Sequence, residues 1–210
     1  MSPSPDQRSS GPRITCKPVN TEPNEYSPEE RKLLLKLAHE AILTSLEHRE
    51  LSLNPVPPHL AEPRRAFTTL YLRGDLRGCV GHVYPLDSLY HTVAETARAA
   101  AFEDTRFWPI TLDEAAELEI SLSVLSPLRT VQPERVEVGR HGLLVSLHQH
   151  RGLLLPQVPI EHGWDRITFL EQTCRKAGLP PHAWQTGAKV EVFTAEVFGD
   201  RDADQNLSDG

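Results

Sequence analysis

Between Phe67 and Val83 the sequence reads FTTLYLRGDLRGCVGHV, two stretches rich in Thr, Tyr, Leu and Val separated by Gly74 and Asp75. Such residues on either side of a Gly-Asp pair predict a strand, a tight turn and a second strand. This hairpin constrains the fold more than any other segment, because two strands alone are marginal and commit the chain to a larger, covered sheet. Side chains alternate across a strand, so Arg77, Cys79, Gly81 and Val83 are expected on one face and Leu76, Gly78, Val80 and His82 on the other. The alternation places the Arg77 guanidinium beside the Cys79 thiol.

The flanking segments supply helices to cover that sheet. SPEE opens the first: Ser27 caps, Pro28 suits the first helical position and Glu30 closes a capping box. Leu34, Leu37, Ala38, Ala41 and Ile42 then recur at helical spacing to about His48, where NPVPPHLAEP ends the helix. A second helix is expected from about Asp87 to Ala101, and Thr111 with Glu114 makes a capping box for a short one. LEISLSVL alternates as a strand, VGRHGLLVSL and RGLLLPQV read as two more joined across HQHR, and AKVEVFTAEVF closes the sheet. Trp164 to Ala177 is the third helix, with Gly178 placed to cap its end. Hairpins outnumber strand-helix-strand units, so the expected class is α+β, a mixed and largely antiparallel sheet with flanking helices.

Residues 1–25 and 199–210 carry little periodic apolar content and are expected to be a disordered leader and tail around one domain, 26–198. Acidic residues outnumber basic ones 29 to 22 and the basic ones form no run, which argues against nucleic acid as a partner. No apolar segment approaches the roughly 20 residues that cross a bilayer, and no secretory signal is visible, so a cytoplasmic location is expected. Three cysteines, Cys16, Cys79 and Cys174, suggest neither a disulfide framework nor a four-cysteine zinc site. His148 and His150 stand close together without a third ligand, so no metal or other cofactor is assigned.

Cys79 with Arg77 is the leading candidate for chemistry. The thiolate is the reactive form of cysteine and a neighbouring cation favours it, while Gly78 and Gly81 remove side chains that would block approach. FEDTRF follows the second helix and offers Glu103 or Asp104 for proton transfer and Arg106 to hold an anion. Gln157 is a polar residue in an apolar run and can both donate and accept. Each has a plainer reading: a small cysteine packed beside glycines, an Asp104–Arg106 pair pinning a loop, an amide at a strand end. Cys174 on an inner helical stripe belongs to the core. No phosphate loop, serine elbow or HExxH occurs.

Taken in order, LRGCVG, AAAFEDTRFWP, LLLPQV, GWD, FLEQTCRKAGL and a late tryptophan resemble the AMMECR-one domain family over about Tyr26 to Phe198. The family's arginine, glycines and cysteine fall on Arg77, Gly78, Cys79 and Gly81, with Val80 in place of the commoner isoleucine. Its acid and arginine fall on Asp104 and Arg106, with Thr105 for the usual proline, and its leucine-proline-glutamine motif on Leu155, Pro156 and Gln157. The resemblance implies two unequal subdomains with the cysteine motif near the cleft between them. It also implies a shared pathway with a Memo-like protein and a radical SAM protein, whose metal ligands this chain does not carry.

Two readings follow. In the first, the protein is an enzyme or enzyme subunit acting on a small anionic molecule in the cleft, with Cys79 as nucleophile, Arg77 and Arg106 as cations and Asp104 or Glu103 moving protons. In the second it is a non-catalytic binding or scaffold module whose motifs are structural.

Overall fold

The structure is a computed structural model that describes residues 25–52, 57–82 and 87–205. Cys16, Val83 and nearly all of the expected leader lie outside these residues. The sheet expected from sequence is two sheets, each of four antiparallel strands, in an α+β arrangement with flanking helices.

The first lobe joins β1 (Arg65–Leu72), β2 (Asp75–Gly81), β3 (Leu118–Leu125) and β8 (Ala195–Gly199) in the order β2-β1-β3-β8. One face is covered by α1 (Pro28–Leu46) and α2 (Leu89–Phe102), which bury Leu34, Ile42, Leu89, Val93 and Ala97 against Leu70, Ile120 and Leu122. α1 starts as its sequence dictates: Ser27 accepts from the Glu30 amide at 3.2 Å and Glu30 accepts from the Ser27 amide at 2.9 Å. Alanine at 97, 100 and 101 lets α2 lie close on the sheet, so close that a methyl placed on Gly78 would come within 2.2 Å of the Ala100 carbonyl oxygen.

The second lobe orders β4 (Arg129–Thr130), β7 (Lys189–Phe193), β5 (Gly142–Leu147) and β6 (His150–Leu154) as β4-β7-β5-β6, with α5 (Arg166–Lys176) packed on it. Phe169, Leu170 and Cys174 fill its core with Leu143, Val145 and Val192. Asp165 caps α5 by accepting from the Thr168 amide, and Gly178 follows its C-terminus at φ +72°.

The strand expected to close one sheet closes both. β7 ends at Phe193 and β8 begins at Ala195, so the chain changes sheets at Thr194, while the opposite crossing runs from β3 through Ser126 to β4. The two crossings are tied to each other: the Ser126 amide donates to the Thr194 carbonyl and the Thr194 amide to the Ser126 hydroxyl, both at 3.0 Å. Arg65, buried at this junction, donates to the Ser126 carbonyl and stacks over the Phe193 ring. A third apolar cluster, Leu125, Leu144, Leu153, Phe193 and Ala195 with Phe67, joins the lobes.

β8 runs to Gly199 and is followed by α6 (Asp200–Gln205), where sequence reading expects a disordered tail. The Asp200 carboxylate binds His39 at 2.8 Å and the Ile120 amide at 2.7 Å, continuing the ladder where β8 stops. Among the described residues no helix is long and apolar enough to cross a membrane.

Candidate functional site

Cys79 lies on β2, an edge strand of the first sheet. Edge strands expose unpaired backbone groups, and at Cys79 two side chains meet them. Its amide donates to Asp104 Oδ2 at 2.9 Å, and its carbonyl accepts from Arg106 Nη2 at 3.4 Å. Asp104 and Arg106 are themselves joined twice, Nε to Oδ1 at 2.9 Å and Nη2 to Oδ2 at 2.6 Å. The pair therefore copies the donor and acceptor pattern of a neighbouring strand.

Because both backbone groups of Cys79 point outward, its partner on β1, Thr69, is a non-hydrogen-bonded neighbour, the close kind of pair in an antiparallel ladder. The Thr69 hydroxyl donates to Cys79 Sγ at 3.4 Å. Cys79 is half-buried and free, with Thr69, Gly81 and Phe67 on the same face of the sheet. Phe67 covers Gly81 so closely that a methyl there would lie 2.1 Å from the ring.

Arg77 falls at a break in the regular ladder. The register passes from Leu70 opposite Gly78 to Tyr71 opposite Leu76, which leaves Arg77 as the extra residue of a bulge. Its guanidinium is turned to Glu114, with Nε to Oε1 at 3.1 Å and Nη2 to Oε2 at 3.0 Å, and to the carbonyls of Trp108 at 2.7 Å and Pro109 at 3.4 Å. Glu114 also caps α3 (Leu112–Ala115) by accepting from the Thr111 amide at 2.9 Å. Arg77 thus fastens the loop between α2 and α3 to the strand.

The charges follow this geometry. The Arg106 hydrogen bonds, against the opposing effect of burial, hold the Asp104 carboxyl down at about 2. Arg77 likewise holds Glu114 below the ordinary glutamate range. A carboxylate with so low a pKa is a weak base at neutral pH, and four of its hydrogen bonds are spent on Cys79 and Arg106, so Asp104 positions the strand. Glu103 caps the end of α2 and its carboxylate lies 3.2 Å from Arg98, both more than half exposed. Gln157 is buried at the start of α4 (Gln157–Glu161), just past the strand end expected from sequence. His148 sits in the β5–β6 turn at φ +53°, and among the described residues no three His, Cys, Asp or Glu side chains converge on one point.

Thr69 and Glu114 are the site residues that sequence reading leaves out. Glu114 shows in the sequence only as a capping residue. Thr69 cannot be found by counting back from the turn, because an unbulged hairpin with Leu72 opposite Asp75 would set Thr68, not Thr69, across from Cys79.

Fold and site together define a two-lobed α+β protein whose first lobe presents a cysteine on a glycine-flanked edge strand locked by an Asp–Arg pair. The chain belongs to the AMMECR1 family, whose profile matches residues 35–198. It is 41% identical over 182 residues to protein MK0488 of Methanopyrus kandleri, covering 81% of this chain and 88% of that one. It is 40% identical to protein TK0174 of Thermococcus kodakarensis, covering 80% and 88%. The crystal structure of protein PH0010 from Pyrococcus horikoshii superposes with a TM-score of 0.70 at 39% identity, covering 80% of this chain and 89% of that one.

Proposed function

We propose that the protein is an enzyme, or the subunit of one, that acts on a small anionic molecule in the cleft beside the LRGCVG strand, with Cys79 Sγ as nucleophile. The observation that carries this reading is the mounting of the thiol: half-buried, free, met by the Thr69 hydroxyl, and held through its own backbone by Asp104 and Arg106. Fixing a nucleophile in this way lowers the entropic cost of reaching an attack geometry. Arg106, more than half exposed at the Cys79 carbonyl, brings positive charge to the site. Gly78 lets α2 pack against the strand and Gly81 lets the Phe67 ring lie over it, two close approaches that hold the thiol in place, and Gln157 supplies an amide from the second lobe. Arg77 contributes through the loop it fastens.

Proton transfer from the thiol falls to Glu103 rather than to Asp104. Its pairing with exposed Arg98 is a surface ion pair, worth about 0–1 kcal/mol, so the carboxylate leaves it at little cost. The reading places the protein in the cytoplasm, in a pathway with a Memo-like protein and a radical SAM protein, which would bring any metal centre.

The test is alkylation of the folded protein by iodoacetamide at neutral pH in a Cys16→Ser background, with modified residues located by mass spectrometry. Cys174 is the internal reference, since burial pushes its thiol up and closes it to reagent. Cys79 is expected to react at least tenfold faster than Cys174. Equal rates, with both thiols reacting only after unfolding, would remove Cys79 from the mechanism and leave a binding or scaffold role for the cleft.

A further inference from the structure

Between the lobes lies a cavity of about 410 Å³. Its size falls within the roughly 300–1,000 Å³ typical of small-molecule sites. One wall is Phe67 of the first sheet, and the others are Leu144 and Leu153 of the second sheet with Leu155 and Val158 beyond it. Phe67 is also the ring that covers Gly81, on the same sheet face as Cys79 and two residues along the strand, a Cα separation of about 6.6 Å. The cavity therefore adjoins the thiol-bearing face.

Two cations, Arg151 and Lys176, line this otherwise apolar space, and among the described residues no acidic side chain does. Lys176 has no ion-pair partner among the described residues. The residue is exposed overall, and the protein packed around it lowers its pKa from the ordinary lysine value. Its place in the last turn of α5 suits a cation, and from there it lines the same cavity as five apolar side chains. An anion with an apolar body matches this lining, its charge drawn to the two cations at the rim and its body filling the apolar space.

We propose that the cavity binds a small amphipathic carboxylate, its apolar body against Phe67, Leu144, Leu153, Leu155 and Val158 and its carboxylate at Lys176 and Arg151. This names the class of anion for the cleft; its relation to Cys79 rests on the function proposed above, whereas the binding itself does not.

Isothermal titration of the full chain with octanoate, octylammonium and acetate tests it, because the first two share a chain and differ in charge while the third has no chain. Octanoate is expected to bind at least tenfold more tightly than either. Lys176→Met should weaken octanoate at least tenfold, and Val158→Trp, which fills the space, should abolish binding, with circular dichroism confirming that both variants fold. Equal binding of octylammonium, absence of octanoate binding to the folded wild type, or undiminished binding by a folded Lys176→Met would each overturn the proposal. The labelling experiment separates the two readings: octanoate binding that depends on Lys176 stands whether Cys79 labels fast or proves inert, whereas an inert Cys79 removes the nucleophile alone.

Discussion

The Asp104 carboxylate lies 2.9 Å from the backbone nitrogen of Cys79, so a side chain from the end of α2 occupies the position of a further strand in the first sheet. The salt bridge that draws Asp104 down to about 2 makes this a pH-linked contact. A carboxyl whose folded pKa is depressed adds stability that is present above the ordinary aspartate value and is lost as pH falls toward the folded one. Wild type should exceed Asp104→Asn in stability by on the order of 2 kcal/mol at pH 6, and the gap should close between about pH 4 and 2. Urea unfolding of both proteins across that range checks this. A gap that stays constant would mean the contact does not depend on the charge.

Gly78 and Gly81 flank the same cysteine but meet different obstacles. A methyl on Gly78 strikes the Ala100 backbone carbonyl, which moves only with α2, whereas one on Gly81 strikes the Phe67 ring. Overpacking costs about 1–3 kcal/mol, and Gly78→Ala should fall at or beyond the upper end while Gly81→Ala costs less as the ring tilts. Thermal denaturation ranks the two. A milder effect at Gly78 would show that α2 is free to slide.

Arg77 and Glu114 are predicted to act as one unit. Their side chains are largely buried and doubly hydrogen-bonded, so Arg77→Lys and Glu114→Gln should each destabilise the protein and the pair should be non-additive by about 1–2 kcal/mol. A double-mutant cycle in urea measures that coupling; simple additivity would contradict it. Arg77→Lys should also loosen residues 104–111, seen as faster amide exchange there.

His59 titrates against the start of α1. Burial by itself would lower its pKa, but hydrogen bonds to Glu30 at 3.1 Å and Glu25 at 3.5 Å raise it, with Tyr26 stacked on the ring and Arg64 sharing Glu25. A histidine whose folded pKa is raised adds stability that is complete below the unfolded value of about 6.5 and fades as pH climbs through the folded one. Between pH 6 and 8 the wild type should lose more stability than His59→Gln, by about 1 kcal/mol or less. An NMR titration of His59 that gives a value below 6.5 would reverse the sign.

Features written locally in the chain were legible: the Ser27 and Thr111 capping boxes, the hairpin, the alternation of LEISLSVL, and Gly178 after α5 all appear as the residues dictate. What escaped depends on long-range geometry. A glycine inside a strand is compatible with a bulge but does not place one, and the bulge at Arg77 shifts the register that pairs Thr69 with Cys79. Thr194 looks like any strand residue, so the exchange between sheets inside AKVEVFTAEVF was invisible without the reciprocal bonds to Ser126. The Asp104–Arg106 pair was legible as a pair; that it closes a sheet edge follows only from where α2 ends.

The Ser126–Thr194 bonds have a consequence for modularity. Leu125 and Ala195 face each other in the β3–β8 ladder, so the whole second lobe leaves and rejoins the first at a single hairpin position. In topological terms it is a turn grown into a cassette, and a two-residue Asn-Gly link in its place would leave a continuous four-stranded sheet with its own helices. One side of the cleft can therefore be exchanged as a block while the cysteine strand and its clamp stay as they are.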